Sequence, residues 1–325
     1  MFRKIATVCA AGALVFSLAA CSPSSDTTAA SGGTTEKGTI AVITVDLGNP
    51  YWQAEADTAK AAIEDLGYTS TVNAHNGDAD KQNQLIDSAI STKVQAIILD
   101  PAGADESVAA VQKATDAGIP VFLVNAEISE QGIAKSQIVS NNAQGATIGA
   151  EAWVEAMGEN GVYVELFGNP TDNNAQVRSD GYAAVISGYP GLTKVGQETA
   201  NWDRAEGKTK MEGLLAAHPE ITGVIAGNDE MALGAIEALT DAGKISTVKV
   251  LGFDGNADAV DAINAGTMVA TVLQPIVTGT QEAVAQADSF IRTGETGVAD
   301  EKQSIDCVLI NKDNTADYTS PFVLG

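Results

Sequence analysis

The stretch GVIAGNDEMALGA, residues 223–235, decides the fold. Val224, Ile225 and Ala226 form a short apolar run that ends in Gly227. Asn228 and Asp229 follow, and then a run of good helix formers begins. The pattern predicts a buried strand, a tight turn and a helix whose first turn is capped by Asp229. Asn228 then stands just past the strand's C-terminal end, where open α/β sheets place their ligands.

The same unit recurs along the chain. Strands are expected at 39–45, 68–74, 96–99, 119–124, 161–167, 193–199, 223–226, 249–253 and 269–273. Helices are expected between them, including 79–92, 105–117, 143–157, 175–187, 204–217 and 257–265, with a last long one through 291. In the first helix Trp52, Ala56, Ala59, Ile63 and Leu66 repeat at helical spacing. Such alternation requires parallel sheets with helices on both faces. Its length exceeds one common open sheet, which predicts two α/β domains.

Polar residues gather where these strands end. Asp46 and Asn49 follow the first, with Tyr51 and Trp52 close behind. Asp100 follows the third, and Asn125 and Glu127 the fourth. Asn169, Asp172, Asn173 and Asn174 follow the run ending at Phe167. Trp202 and Asp203, Asn228, Asp254 and Gln274 complete the set. Turn and cap preferences account for any one Asn or Asp. They do not account for the rings, for which ordinary core burial is the alternative, and together these strand ends read as one polar cleft. Paired amide and carboxylate groups suit vicinal hydroxyls, and Arg178 adds a planar fork of donors.

Composition narrows the function. The chain has 325 residues, 45% hydrophobic and 5% aromatic, with 18 Lys and Arg against 42 Asp and Glu and a net charge of −24. The mature region has no basic stripe, which argues against nucleic acid and anionic lipid as partners. His75 and His218 belong to no catalytic constellation, no nucleophile-elbow or phosphate-loop motif occurs, and metal-ligand clustering is absent. The expectation is therefore a binding protein, not an enzyme, with no cofactor and no metal.

The N-terminus reads as an address. Arg3 and Lys4 precede an apolar run, 5–20, too short to span a bilayer comfortably. It ends in Leu18-Ala19-Ala20-Cys21, which resembles the lipobox of bacterial lipoproteins. Residues 1–20 are thus expected to be a signal peptide, Cys21 the lipidated residue, and 21–38 a flexible tether holding the protein on the outer face of the cell membrane. Cys307 is left as the one thiol, in a strand-like run, and is expected to be buried.

At these motifs the chain resembles the sugar-binding proteins of ABC transporters, the ribose-binding type with the type I periplasmic-binding fold. The resemblance rests on Asn49-Pro50-Tyr51-Trp52, on 228–235, on Gly252-Phe253-Asp254-Gly255 and on Ala270-Thr271-Val272-Leu273-Gln274. It implies two Rossmann-like lobes, each a parallel sheet flanked by helices, joined by a three-segment hinge with the ligand cleft between. Residues 39–140 plus 275–306 would form the N-terminal lobe, and 141–274 plus 307–325 the C-terminal lobe. It implies a monomer that captures a monosaccharide or polyol and delivers it to a membrane permease. Asn49, Arg178, Asn228, Asp254 and Gln274 would meet ligand hydroxyls, and Tyr51, Trp52 and Trp202 would cover its faces. One departure matters: ribose binders carry Asp-Arg after the fourth strand, where this chain has Asn125-Ala126 and then Glu127. Val45 also removes a polar contact. A non-sugar signalling ligand such as a furanone, a sensing-only receptor, a repressor domain of the same fold and a secreted enzyme are the alternatives. The repressor would need an N-terminal helix-turn-helix, where this chain has the lipobox.

Overall fold

Two six-stranded sheets carry the chain. The computed structural model describes residues 37–319 and 322–324; the expected signal peptide, Cys21 and nearly all of the expected tether lie outside the described residues. The first sheet holds β1 (Thr39–Thr44), β2 (Thr69–Ala74), β3 (Ala96–Leu99), β4 (Val121–Asn125), β5 (Ser136–Ser140) and, from late in the chain, β11 (Lys302–Ile305), in the order β11-β5-β4-β3-β1-β2. All its pairings are parallel. The second holds β6 (Gly161–Phe167), β7 (Leu192–Thr199), β8 (Gly223–Ala226), β9 (Lys249–Leu251), β10 (Ala270–Leu273) and β12 (Val308–Asn311), in the order β12-β10-β9-β8-β6-β7. Only β12 runs antiparallel, against β10. A small hairpin, β13 (Tyr318–Thr319) with β14 (Val323–Leu324), follows.

The helices fill the connections: α1 (Pro50–Asp65), α2 (Ala79–Thr92), α3 (Val108–Asp116), α4 (Asn142–Met157), α5 (Asn173–Ile186), α6 (Arg204–Ala217), α7 (Asp229–Asp241), α8 (Ala257–Ala265) and α9 (Ile276–Thr293). The strands read as unbroken apolar runs because both faces are covered. In β1, Ile40 and Val42 enter one core while Ala41 and Ile43 enter another. In β8, Val224 and Ala226 face one core and Ile225 the other.

The chain passes between the sheets three times, at 141, at 274–275 and at 306–307. After the second passage α9 packs on α1, β4 and β5 of the first sheet. Each sheet also reverses its winding once, between β1 and β3 and between β6 and β8. Such reversal points open a crevice beyond the carboxyl ends of the strands.

Two strands of the six-stranded sheets escape the sequence pattern, as does the small hairpin. β5 and β11 pair with each other, and each mixes polar with apolar residues. Buried Gln137 in β5 stands where a hydrophobe would be expected, with its amide bonded to Ile128 N, Glu130 O and Glu301 Oε1. α3 starts at Val108 rather than 105, because the Ser107 hydroxyl is engaged by Gln82 and Gly103 in a turn. The expected cap of α7 is also corrected. Asn228 is the cap, its Oδ1 accepting from Met231 N at 2.9 Å. Asp229 is the first helical residue and turns away to accept from Gly255 N, Asn256 N and the Thr271 hydroxyl. Cys307 is buried just before β12, and burial pushes its thiol up to about 12, so it is inert packing.

The opening stretch depends on close helix contact. A Cβ on Gly234 would lie 2.1 Å from the Arg204 carbonyl oxygen of α6. Gly234→Ala should therefore force α6 and α7 apart and lower stability by about 1–3 kcal/mol. Thermal unfolding checks this, and an unchanged midpoint would contradict the packing described.

Candidate functional site

A cavity with about 270 Å3 of empty space, part of it open to solvent, lies where both sheets end, lined by Asn49, Tyr51, Trp52, Asn125, Asp172, Asn174, Arg178, Trp202, Asn228, Asp254 and Gln274. All but Arg178, which stands in the second turn of α5, follow or end a strand or start the helix after it.

On the second-sheet side α5 delivers Arg178. Arg178 is 3% exposed, so each donor of its guanidinium needs a partner. Nε donates to Asn142 Oδ1 at 2.7 Å and Nη1 to the Gly227 carbonyl at 2.8 Å. Nη1 also lies 3.6 Å from Asp254 Oδ1. The guanidinium sits 3.9 Å from the Phe253 ring centre and 5.3 Å from that of Trp202. Asp254 has φ 125° and accepts from Gln274 Nε2 at 2.7 Å. Burial pushes its carboxyl up to about 7, while Arg178 and Gln274 pull it back toward the charged form. Asn228 uses Oδ1 for the cap and donates Nδ2 to the Trp202 carbonyl at 3.2 Å.

Trp202 has φ 66°, a strained setting for a bulky side chain. Its indole lies in a slot with no room for a methyl group, since a Cβ on Gly168 would come within 2.1 Å of the ring.

On the first-sheet side Asn49 caps α1, accepting from Tyr51 N at 2.9 Å. The Tyr51 hydroxyl donates to Asn125 Oδ1 at 3.0 Å, and Asn125 Nδ2 donates to Asp100 Oδ2 at 2.8 Å. Asn125 also has a left-handed backbone, φ 66°. The Tyr51 ring meets Phe322 edge-on, with centres 5.4 Å apart. Burial, then the charge of Asp254, raises the Tyr51 phenol well above its ordinary value, so it stays a donor.

Polar contacts cross the cavity. Asn174 Nδ2 donates to the Asn125 carbonyl at 3.2 Å, and Asn142 Nδ2 to Asn174 Oδ1 at 2.9 Å. Ala104 N donates to the Thr171 carbonyl at 3.1 Å. Tyr51, Trp52, Phe167, Trp202 and Phe322 belong to one buried cluster that includes residues of both sheets. Two polar atoms on lining residues are buried without a partner, Trp52 Nε1 and Gln274 Oε1. A buried donor and acceptor left open in one cavity are what a polyhydroxylated molecule would satisfy.

Three residues expected at the site line no part of the cavity. Asp46 closes the turn after β1, accepting from Gly48 N at 2.8 Å. Asp100 lies beneath Asn125, one layer removed. Glu127 pairs with Lys302 at 2.9 Å and accepts from Asn173 Nδ2 at 3.1 Å. Asp172 joins the cavity although its sequence position reads as the cap of α5, which it also is. His75 is fully buried and supports Asp100 from below. Its Nδ1 accepts from Gly77 N at 3.0 Å, so Nε2 carries the hydrogen and donates to the Asp100 carbonyl at 2.9 Å. Burial pulls the ring below the ordinary histidine range. Among the described residues no group of three or more His, Cys, Asp or Glu is placed to hold a metal ion.

Comparison with known proteins agrees with this fold. Residues 40–296 match the periplasmic binding protein domain. The chain is 53% identical over 280 residues to the D-apiose import binding protein of Actinobacillus succinogenes, covering 86% of this chain and 90% of the relative. It is 34% identical to the ribose import binding protein of Escherichia coli, covering 73% and 79%. Its fold matches an ABC transporter solute-binding protein of Bacillus halodurans, solved with bound myo-inositol. The TM-score is 0.81 at 28% identity, covering 88% of this chain and 98% of that one.

The slot around Trp202 gives a direct test. Gly168→Ala should displace the indole, redden its fluorescence and destabilise the protein by about 1–3 kcal/mol. Unchanged emission and unfolding would show that the ring is not wedged there.

Proposed function

The chain belongs to the periplasmic binding protein domain family, and on that premise we propose that it is an extracytoplasmic solute-binding protein that captures D-apiose, a branched pentose, for an ABC importer. The observation that carries this reading is the cavity itself. Its walls come from both sheets, and Trp52 Nε1 and Gln274 Oε1 are buried there without partners. The choice of D-apiose follows two relatives, 53% and 52% identical, from Actinobacillus succinogenes and Paraburkholderia graminis, both named as D-apiose import binding proteins.

In this reading Asn49, Asn125, Asn174, Arg178, Asn228, Asp254 and Gln274 meet hydroxyl groups. Tyr51, Trp52 and Trp202 close over the carbon skeleton, and the Trp52 indole N–H adds a donor. Asp172 joins them. The lobes, 39–140 plus 275–306 and 141–274 plus 307–325, move as bodies about the three passages. A ligand touching both favours their closed arrangement. A sugar lacking one matched hydroxyl leaves a buried group unpaired, which is the basis of selection. The protein acts as a binder rather than a catalyst. It works as a monomer, held at the outer face of the membrane by lipid on Cys21.

Thermal unfolding with D-apiose, D-ribose, xylitol and myo-inositol tests the reading. At about a thousand times Kd, D-apiose should raise the midpoint by on the order of ten degrees. Asp254→Ala should remove that shift while the protein still folds. A flat panel, or a shift that survives Asp254→Ala, would contradict the assignment.

A further inference from the structure

Beneath the cavity floor lie two carboxyl groups that sugar contact alone does not explain. Glu55 sits on the inward face of α1 and Asp100 just after β3, each 1% exposed. The Thr44 hydroxyl donates to Glu55 Oε1 at 2.8 Å, and Asn125 Nδ2 donates to Asp100 Oδ2 at 2.8 Å. The other two oxygens, Glu55 Oε2 and Asp100 Oδ1, are buried with no donor. The two carboxyl groups are close enough that each shifts the other's titration. Two carboxylates are acceptors only, and cannot both stay ionised at contact in a dry site. One proton between them supplies the missing donor and removes the repulsion.

We infer that Glu55 and Asp100 share one proton beneath the cavity, and that this pair positions the Asn125 amide that the sugar meets. With Asp100 as acceptor, Asn125 Nδ2 must point down to it. Oδ1 is then the atom that takes the Tyr51 hydroxyl, as observed at 3.0 Å. The pair thereby fixes which faces of Asn125 and Tyr51 remain for ligand. This rests on the sugar-binding reading above.

The surroundings favour a single proton. Burial pushes Glu55 up to about 8, while Thr44 and Asp100 pull it down. Burial, then Glu55, holds Asp100 well above the usual carboxylate range, and the Asp172 charge adds to this across the cavity. His75 faces the Asp100 backbone as a neutral ring, with Lys81 and Asp78 near it. Arg178 and Asp254 act on the same floor through Tyr51. For an acid raised in the folded state, the stabilising contribution is complete below the unfolded value of 4.5. It is lost as pH rises through about 8.

Infrared spectroscopy of ligand-free wild type against Glu55→Gln tests the shared proton. The wild type should show a protonated carboxyl band that titrates near pH 8 and is missing from Glu55→Gln. Thr44→Val, which removes only the donor to Glu55, should move that titration upward. Absence of such a band from the wild type would overturn the shared proton. Calorimetry with D-apiose tests the positioning role. Above that titration both carboxylates are charged and repel, which displaces Asp100 from beneath Asn125, so wild-type affinity should fall about tenfold between pH 7 and about pH 9.5. Glu55→Gln, whose amide still donates to Asp100, should hold its affinity across that range. An equal fall in the variant would overturn the link to Asn125. No apiose binding at any pH would instead overturn the functional reading, and the positioning role with it, while the infrared result stands separately.

Discussion

The buried guanidinium of Arg178 is the charge around which the site is arranged. An unpaired charge in such a place costs several kcal/mol, so the fold must supply partners from many elements. It does so from Asn142 at the start of α4, Gly227 at the end of β8 and Asp254 after β9. The ring of Phe253 lies against it. Asn142 and Asn174 carry the network on to the Asn125 carbonyl at the end of β4. One side chain therefore registers four strand ends and both sheets against each other.

That arrangement is bought with local strain. Asn125, Trp202 and Asp254 all adopt positive φ, and all line the cavity. Backbone of this kind persists only where its surroundings over-determine it, and it concentrates at ligand sites. Here the Trp202 indole is fixed by its narrow slot, Asp254 by Gln274 and Arg178, and Asn125 by Tyr51 and Asp100. The polar groups are thus largely in place before any sugar arrives, which reduces the ordering that binding must impose.

The alternation of strands and helices was legible because strands buried on both faces are short apolar runs bounded by turns. The cavity was legible for a related reason: residues such as Asn228, Asp254 and Gln274 follow those runs directly. β5 and β11 were not, since their burial is satisfied by amides such as Gln137, which look like loop residues in one dimension. Asn228 and Asp229 show a second limit. Both suit a helix cap, and only the position of Gly255, Asn256 and Thr271 decides which turns inward. Asp46, Asp100 and Glu127 follow strands as the lining residues do, yet a turn, a lower layer and an ion pair with Lys302 claim them. Glu55 was invisible for the opposite reason. A lone Glu on a helix reads as solvent-facing, and its burial depends on Thr44 and Asp100 from other elements.

The most direct measurement is a crystal structure of the protein grown with D-apiose. The account predicts one sugar in the cavity, in contact with Arg178 and Asp254 on one side and with Asn49 and Trp52 on the other. A sugar bound elsewhere, or a cavity left empty at saturating sugar, would contradict it.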